Sequence, residues 1–343
     1  MPAKPPVTDV HAHALVPDVE SLVAGRAELD LEQRQTARRM GGESLAVTQQ
    51  VLVATRARLI DLTARLAAMD AASVDVQLVS PSPTQYHYWA GAKLAREIWT
   101  VTNEGIAALC QAAPRRLAGL GVAPLQHPHL AAAALDHAVL DCGLKGIEIS
   151  SWAPGPDGRI VDLSDPGLDE LWARAEELDA VIFLHPMGCT MDGRLDQWYL
   201  ENIIGQPLEH TIALSHLIFS GVLDRHPRLK LLAAHGGGYL PTYLGRFDHA
   251  WNERPEVRRC LHPPSEYMHR IAVDSLVYTP DALRGLVDVF GAERVLIGTD
   301  YPFDMGVTDP VSRVDSAGLA DRDRDLIAGG NAEQWGLLPQ PHR

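Results

Sequence analysis

The chain has 343 residues, 46% of them hydrophobic, and a formal net charge of −14. That length suits one large α/β barrel or two ordinary domains, with apolar content enough for a sizeable core. The acidic balance excludes nucleic acid as the main partner, which needs a basic face, but leaves room for an anionic small molecule at a locally basic site.

In chain order, the first strand runs from Val7 to His11. A charged stretch from Pro17 to Thr55 follows, broken at Gly41-Gly42, and reads as an irregular insertion over the mouth of the fold. Arg56 to Met69 places Leu59, Ile60, Leu62, Leu66 and Met69 at helical spacing. Val74 to Ser80 is the next strand, and Ala92 to Ala112 a long helix. Leu117 to Val122 is a strand, Leu130 to Leu140 a helix, and Gly146 to Ile149 a strand. Leu168 to Leu178 reads as helix, Val181 to His185 as strand, and His210 to Ser220 as helix. Leu229 to His235, Ile271 to Asp274 and Val295 to Asp300 complete the strands, and the tail from Pro339 is expected to fray or pack on a partner.

Eight strands alternating with helical patterns favour a (β/α)8 TIM barrel, taken as one domain over residues 1–343 with segment 17–65 as a cap. No G-x-G-x-x-G follows a strand, and Gly236-Gly237-Gly238 lacks the lysine of a phosphate loop. No basic-then-apolar start reads as a signal peptide, and no apolar run reaches membrane-spanning length. The four cysteines, Cys110, Cys142, Cys189 and Cys260, are far apart and read as reduced thiols in a cytoplasmic protein. Cys189, just beyond the fifth strand, is the one able to line a site.

Four strand ends spell one site: Asp9-Val10-His11-Ala12-His13, Phe183-Leu184-His185-Pro186, Ala234-His235-Gly236 and Gly298-Thr299-Asp300-Tyr301. In a parallel barrel, functional side chains sit at the C-terminal strand ends. His11 and His13 are two apart, so strand alternation points both the same way. Barrel closure sets the eighth strand beside the first, which brings Asp300 to them, and His185 comes from the fifth. Three imidazoles and one carboxylate suit a zinc-like ion with a coordination position left open for chemistry. His235 is the natural general base beside it, with an ordinary pKa near ~6.5.

These residues resemble the amidohydrolase superfamily and, within it, the 2-amino-3-carboxymuconate-6-semialdehyde decarboxylase group. The likeness also rests on Tyr88-Trp89-Ala90, Pro114 to Gly121, Met191-Asp192-Gly193-Arg194, Gly298 to Phe303 and Gly329-Gly330-Asn331-Ala332. It runs from about residue 7 to 337 and is weakest from 17 to 65. It implies one zinc ion on His11, His13, His185 and Asp300, and activation of the metal water by His235. Related aromatic-acid decarboxylases open with Glu-x-His and prefer manganese. The His-x-His of this chain favours zinc, with Mn2+ as the alternative. Arg246, eleven residues past His235, matches an arginine that reaches the substrate carboxylate across a homodimer, and Phe303 matches a pocket-lining ring.

Two departures stand out. The group's other substrate arginine falls near Leu52-Val53, where this chain has none, and Arg39, Arg56 and Arg58 are the candidates to replace it. The pocket indole falls near Asn202, with Trp198 close by as the candidate. Lys145 precedes its strand and is not placed to bridge two metals. The expectation is therefore a one-metal, non-oxidative decarboxylase of an unsaturated or aromatic carboxylic acid. The alternative is a metal-dependent hydrolase of an amide, lactone or ring C–N bond, since the ligands are the same. A non-enzymatic, metal-containing interaction subunit is the other rival, disfavoured by the intact site.

Overall fold

Eight parallel strand positions close into a ring in this computed structural model, which describes residues 4–191 and 193–339. Asp192 and the tail from residue 340 lie outside the described residues. The ring is built from β1 (Thr8–Ala14), β2 (Val76–Pro81), β3 (Leu117–Gly119) with β4 (Gly121–Val122), and β5 (Gly146–Ile149). After a small antiparallel hairpin of β6 (Trp152–Pro154) and β7 (Ile160–Asp162), it continues through β8 (Val181–Leu184) and β9 (Lys230–Ala233). It ends with β10 (Ile271–Asp274) and β11 (Val295–Leu296).

β3 and β4 are two halves of one barrel strand. Leu120 lies between them, donates to Val79 O at 2.9 Å and joins the β1–β2–β3 ladder to the rest. At the other end the chain closes on itself. Val10 N donates to Ile297 O at 2.8 Å, Asp300 N to His11 O at 2.8 Å, and His13 N to Tyr301 O at 2.7 Å. No edge is left unpaired there, which is how a barrel avoids an open sheet edge. The TIM barrel expected from the alternation is the fold observed.

Alternation along the strands gives two cores. Val10, Leu78, Leu120, Phe183, Leu232 and Leu296 fill the interior of the ring. Residues such as Leu135, Ile147, Trp172, Ile182 and Leu231 pack between the sheet and the outer helices. In β1 the register with β2 slips between Asp9 and Ala12. A bulge of this kind re-aims side chains, and it lets Val10 join the interior while His11 and His13 still reach the mouth.

The segment after β1 differs from the reading of the sequence. It is helical, as α1 (Pro17–Val23), α2 (Ala27–Met40) and α3 (Gly42–Ile60), not irregular. None of the residues of α2 is fully buried, so it offers no apolar stripe for periodicity to find. Polar contacts tie these helices down: Trp89 Nε1 donates to Glu32 at 2.9 Å, and Arg56 grips Glu20 with both nitrogens, at 2.8 and 2.5 Å. The expected helix over 56–69 is two helices, because Asp61 ends α3 and caps α4 (Leu62–Ala71), accepting from Thr63 N and Ala64 N. The helix expected over 92–112 is observed as α5 (Ala92–Ala112).

Arg65 on α4 is buried behind the first strand. It donates to Gln77 Oε1 at 2.9 Å and to His13 O at 2.5 Å, and lies over the Tyr301 ring. Gln77 passes the contact on to Asp9, which also accepts from Thr299 N and Oγ1. Burial pushes the Asp9 carboxyl up to about 6 despite these donors. Arg65→Met keeps the bulk but orphans two buried acceptors, each worth about 1–3 kcal/mol. Urea unfolding should therefore show a loss of roughly 2–4 kcal/mol, and a loss below ~0.5 kcal/mol would show that the network is idle.

Candidate metal centre

His11, His13, His185 and Asp300 are all buried, and one ligand atom from each falls within 4.8 Å of all the others. His11 Nε2 lies 3.1 Å from His13 Nε2, and Asp300 Oδ1 lies 3.4 and 3.3 Å from these two nitrogens. The back nitrogens fix the tautomers. His11 Nδ1 faces Asp274 Oδ2 at 2.6 Å, His13 Nδ1 faces Pro81 O at 3.3 Å, and His185 Nδ1 faces Pro186 O at 3.1 Å. Each of those partners is an acceptor, so each Nδ1 carries its hydrogen and each Nε2 presents a lone pair.

Three lone pairs and a carboxylate oxygen therefore converge in a buried space. His185 Nε2 and Asp300 Oδ1 have no hydrogen-bond partner there. Such atoms repel one another and forfeit their hydration unless a cation joins them. The donor set fits a divalent ion of the zinc or manganese kind.

The protonation states of His11, His185 and Asp300 agree with that fit. Burial, reinforced by the neighbouring imidazoles, lowers His185 well below its ordinary range, and burial lowers His11. Neutral imidazoles are the form that binds metal. Burial opposes ionisation of Asp300, yet His11, His13 and His235 hold its carboxyl well below the usual carboxylate range. His13 is raised despite burial, because Asp300 and Glu148 are close.

Local backbone delivers these groups. Asp300 and His235 both take left-handed φ, 57° and 53°, conformations rare for residues with a Cβ and common at functional sites. Gly298 has no room for a side chain: a Cβ there would sit 2.6 Å from Asp274 Cβ and 3.0 Å from His11 Cβ.

His235 follows β9 and is not among the clustered ligands. Its Nε2 lies 3.8 Å from Asp300 Oδ2, and its Nδ1 contacts His210 Nε2 at 3.1 Å. His210, on α8 (Gln206–Phe219) after α6 (Pro128–Asp136) and α7 (Asp169–Glu177), is fully buried, and burial keeps it neutral.

The Phe303 ring lies 5.4 Å from that of His13. Trp198 is 75% exposed, with left-handed φ like Tyr199 after it, and makes no ring contact with the site histidines. Arg246 is exposed on α10 (Leu240–Glu253), which follows the short α9 (Val222–Arg225), and no described residue of its own chain holds it. Of the candidate replacement arginines, Arg56 is committed to Glu20. Cys189 is buried and free.

Several site residues escaped the reading of the sequence. Asp274 ends β10 and was legible as a strand end, but its bond to His11 spans 263 residues. Asp274 Oδ1 also accepts from Gly236 N at 2.9 Å and Leu276 N at 3.1 Å. Glu148, Tyr86 and His210 carried no motif.

The amidohydrolase family matches residues 8–335, and the chain belongs to that family. It is 34% identical over 286 residues to the 2-amino-3-carboxymuconate-6-semialdehyde decarboxylase of Dictyostelium discoideum, covering 82% of this chain and 78% of that one. It is 28% identical over 289 residues to the gamma-resorcylate decarboxylase of a Rhizobium species, covering 81% and 88%. Its fold superposes with a TM-score of 0.83 on 5-carboxyvanillate decarboxylase from Novosphingobium aromaticivorans, solved with manganese and 4-hydroxy-3-methoxy-5-nitrobenzoic acid, at 24% identity over 97% of this chain and 96% of that one. The resemblance read from the motifs is thereby borne out, and these relatives favour decarboxylation over the hydrolase alternative.

Asp274→Asn keeps the shape but removes the charge behind His11. Metal affinity, measured by chelator competition, should fall by about 10–100-fold. Unchanged affinity would show that His11 needs no carboxylate to orient it.

Proposed function

We propose that the chain is a non-oxidative decarboxylase of an unsaturated or aromatic carboxylic acid, holding one divalent ion on His11, His13, His185 and Asp300. The observation that carries this is the buried convergence of three Nε2 lone pairs and Asp300 Oδ1, in a family whose relatives named above are decarboxylases. Zinc is the ion the His-x-His pair favours, with manganese as the alternative. When bound, the ion supplies Lewis-acid stabilisation of negative charge on a substrate oxygen.

The reaction breaks a C–C bond to release carbon dioxide and forms a C–H bond in its place, so the site must hold and return one proton. His235 holds it at Nε2. Asp300 Oδ2, 3.8 Å away, stabilises the protonated ring, and His210 orients the ring from behind. Phe303 packs against the unsaturated part of the substrate. Residues 17–65 cap the mouth of what acts as one barrel domain, in the cytoplasm, where its free thiols stay reduced.

Arg246 grips the substrate carboxylate from the neighbouring subunit of a homodimer. Supporting this, Arg246 is one turn from Tyr243, which is 62% exposed, and Tyr239 on the preceding turn bonds to Ile203 O, with Ile203 itself 49% exposed. An unpaired arginine beside exposed apolar side chains is what a subunit face presents.

Carbon dioxide release from a panel of amino-, hydroxy- and carboxy-substituted muconates and benzoates, run beside amide and lactone substrates, tests the reaction. Release without hydrolysis is expected; hydrolysis alone would overturn the reading in favour of the hydrolase. His235→Ala should keep its metal but lose turnover by ~10²–10⁴, and near-normal rates would remove His235 from the mechanism.

The shared site has its own test. His235→Ala and Arg246→Ala chains, each inactive alone, are mixed under conditions of subunit exchange. If Arg246 acts across the interface, a mixed dimer has one site with both lesions and one with neither, so activity partly returns. No recovery after confirmed exchange would confine Arg246 to its own chain.

A further inference from the structure

Beside the ligand cluster lies a buried carboxyl group for which the proposed chemistry has no use. Glu148, on β5, is fully buried. Tyr86 donates to Glu148 Oε1 at 2.5 Å, and the same hydroxyl lies 3.0 Å from the backbone oxygen of His185. The Tyr86 ring stacks on Tyr88, 5.2 Å between centroids and 15° from parallel, and the Tyr88 hydroxyl accepts from Ser150 N at 3.3 Å. The phenol is thus fixed from two sides.

The other oxygen, Glu148 Oε2, makes no hydrogen bond of normal geometry. It faces His13 Nδ1 across 3.7 Å, beside the Ser80 hydroxyl, which is 3.2 Å from that same nitrogen. A carboxyl group buried only for packing is costly, and a leucine would fill the space without desolvating two oxygens. Its two oxygens instead face two metal-type ligands from different strands: His13 of β1 directly, and His185 beyond β8 through one hydroxyl. Asp274 faces the corresponding nitrogen of His11 more closely, as a hydrogen bond of 2.6 Å.

We propose that Glu148, held by Tyr86, is a positioning residue that fixes the ring of His13 and the backbone of His185 so that both present Nε2 to one cation. A carboxylate behind a ligating imidazole fixes its tautomer and strengthens it as a donor. Asp274 backs His11 by a direct hydrogen bond, and Glu148 faces the same nitrogen of His13 from 3.7 Å. The proposal rests on the metal reading above.

The test uses the full chain as Glu148→Gln and Tyr86→Phe variants. Zn2+ and Mn2+ affinities are measured by chelator competition, and melting temperatures on metal-free protein. Glu148→Gln should weaken metal binding by about 10–100-fold, with Tyr86→Phe shifting it the same way by less. The metal-free Glu148→Gln protein should melt no lower than metal-free wild type. A residue that only packs gives the reverse: a lower metal-free melting temperature with wild-type affinity, which overturns the proposal. Should Glu148→Gln fail to fold, Tyr86→Phe decides, and unchanged affinity there overturns the link to His185. Wild type that binds neither ion removes the metal reading itself. Wild type that binds while the variants bind equally well removes only the role of Glu148.

Discussion

The rest of the structure depends on closing the last strand against the first. The hydrogen bonds Val10–Ile297, Asp300–His11 and His13–Tyr301 make that seam. They bring Asp300 within 3.4 Å of both β1 imidazoles. Without the seam, β1 and β11 would be two open edges and the site would lose one side. The seam also explains why so much polar machinery is buried behind it. Asp9 ties β1 to Thr299 near the end of the last strand, and Gln77 and Arg65 tie that bond to β2 and α4. A ring of strands has no loose end at which a ligand can adjust, so ligand geometry is set by ladder register.

That rigidity has an electrostatic consequence. Burial alone would make the three imidazoles poor hosts for charge and Asp300 a reluctant anion. The carboxyl stays ionised because imidazoles surround it, and His11 and His185 stay neutral because burial outweighs their anionic neighbours. The result is one negative ligand and three lone pairs, a combination that a divalent ion completes and little else does. His235 and His210 stand beside this cluster, 3.1 Å apart, and His235 Nε2 lies 3.8 Å from Asp300 Oδ2.

The cap follows a different logic. α2 has no buried residue and is held by polar contacts such as Glu32–Trp89, whereas α1 sets Val19 and Val23 into the core. An element attached as α2 is opens more easily than the barrel beneath it.

The order of the eight strands, the TIM barrel and the four residues that cluster as His11, His13, His185 and Asp300 were legible in the sequence. A buried parallel strand is a short apolar run, and a His or Asp at its C-terminal end interrupts that run visibly. The helices of the cap were hidden because α2 has no buried face, and the break at Asp61 because its capping bonds involve only two backbone amides. What tertiary structure alone decided is the set of groups behind the ligands: Asp274 on His11, Glu148 facing His13, Tyr86 at the His185 carbonyl and His210 on His235. Those partners meet in space but are separated along the chain, by 263 residues for Asp274 and His11. Local pattern records which face of a strand a residue occupies. Only closure of the ring decides what stands opposite it.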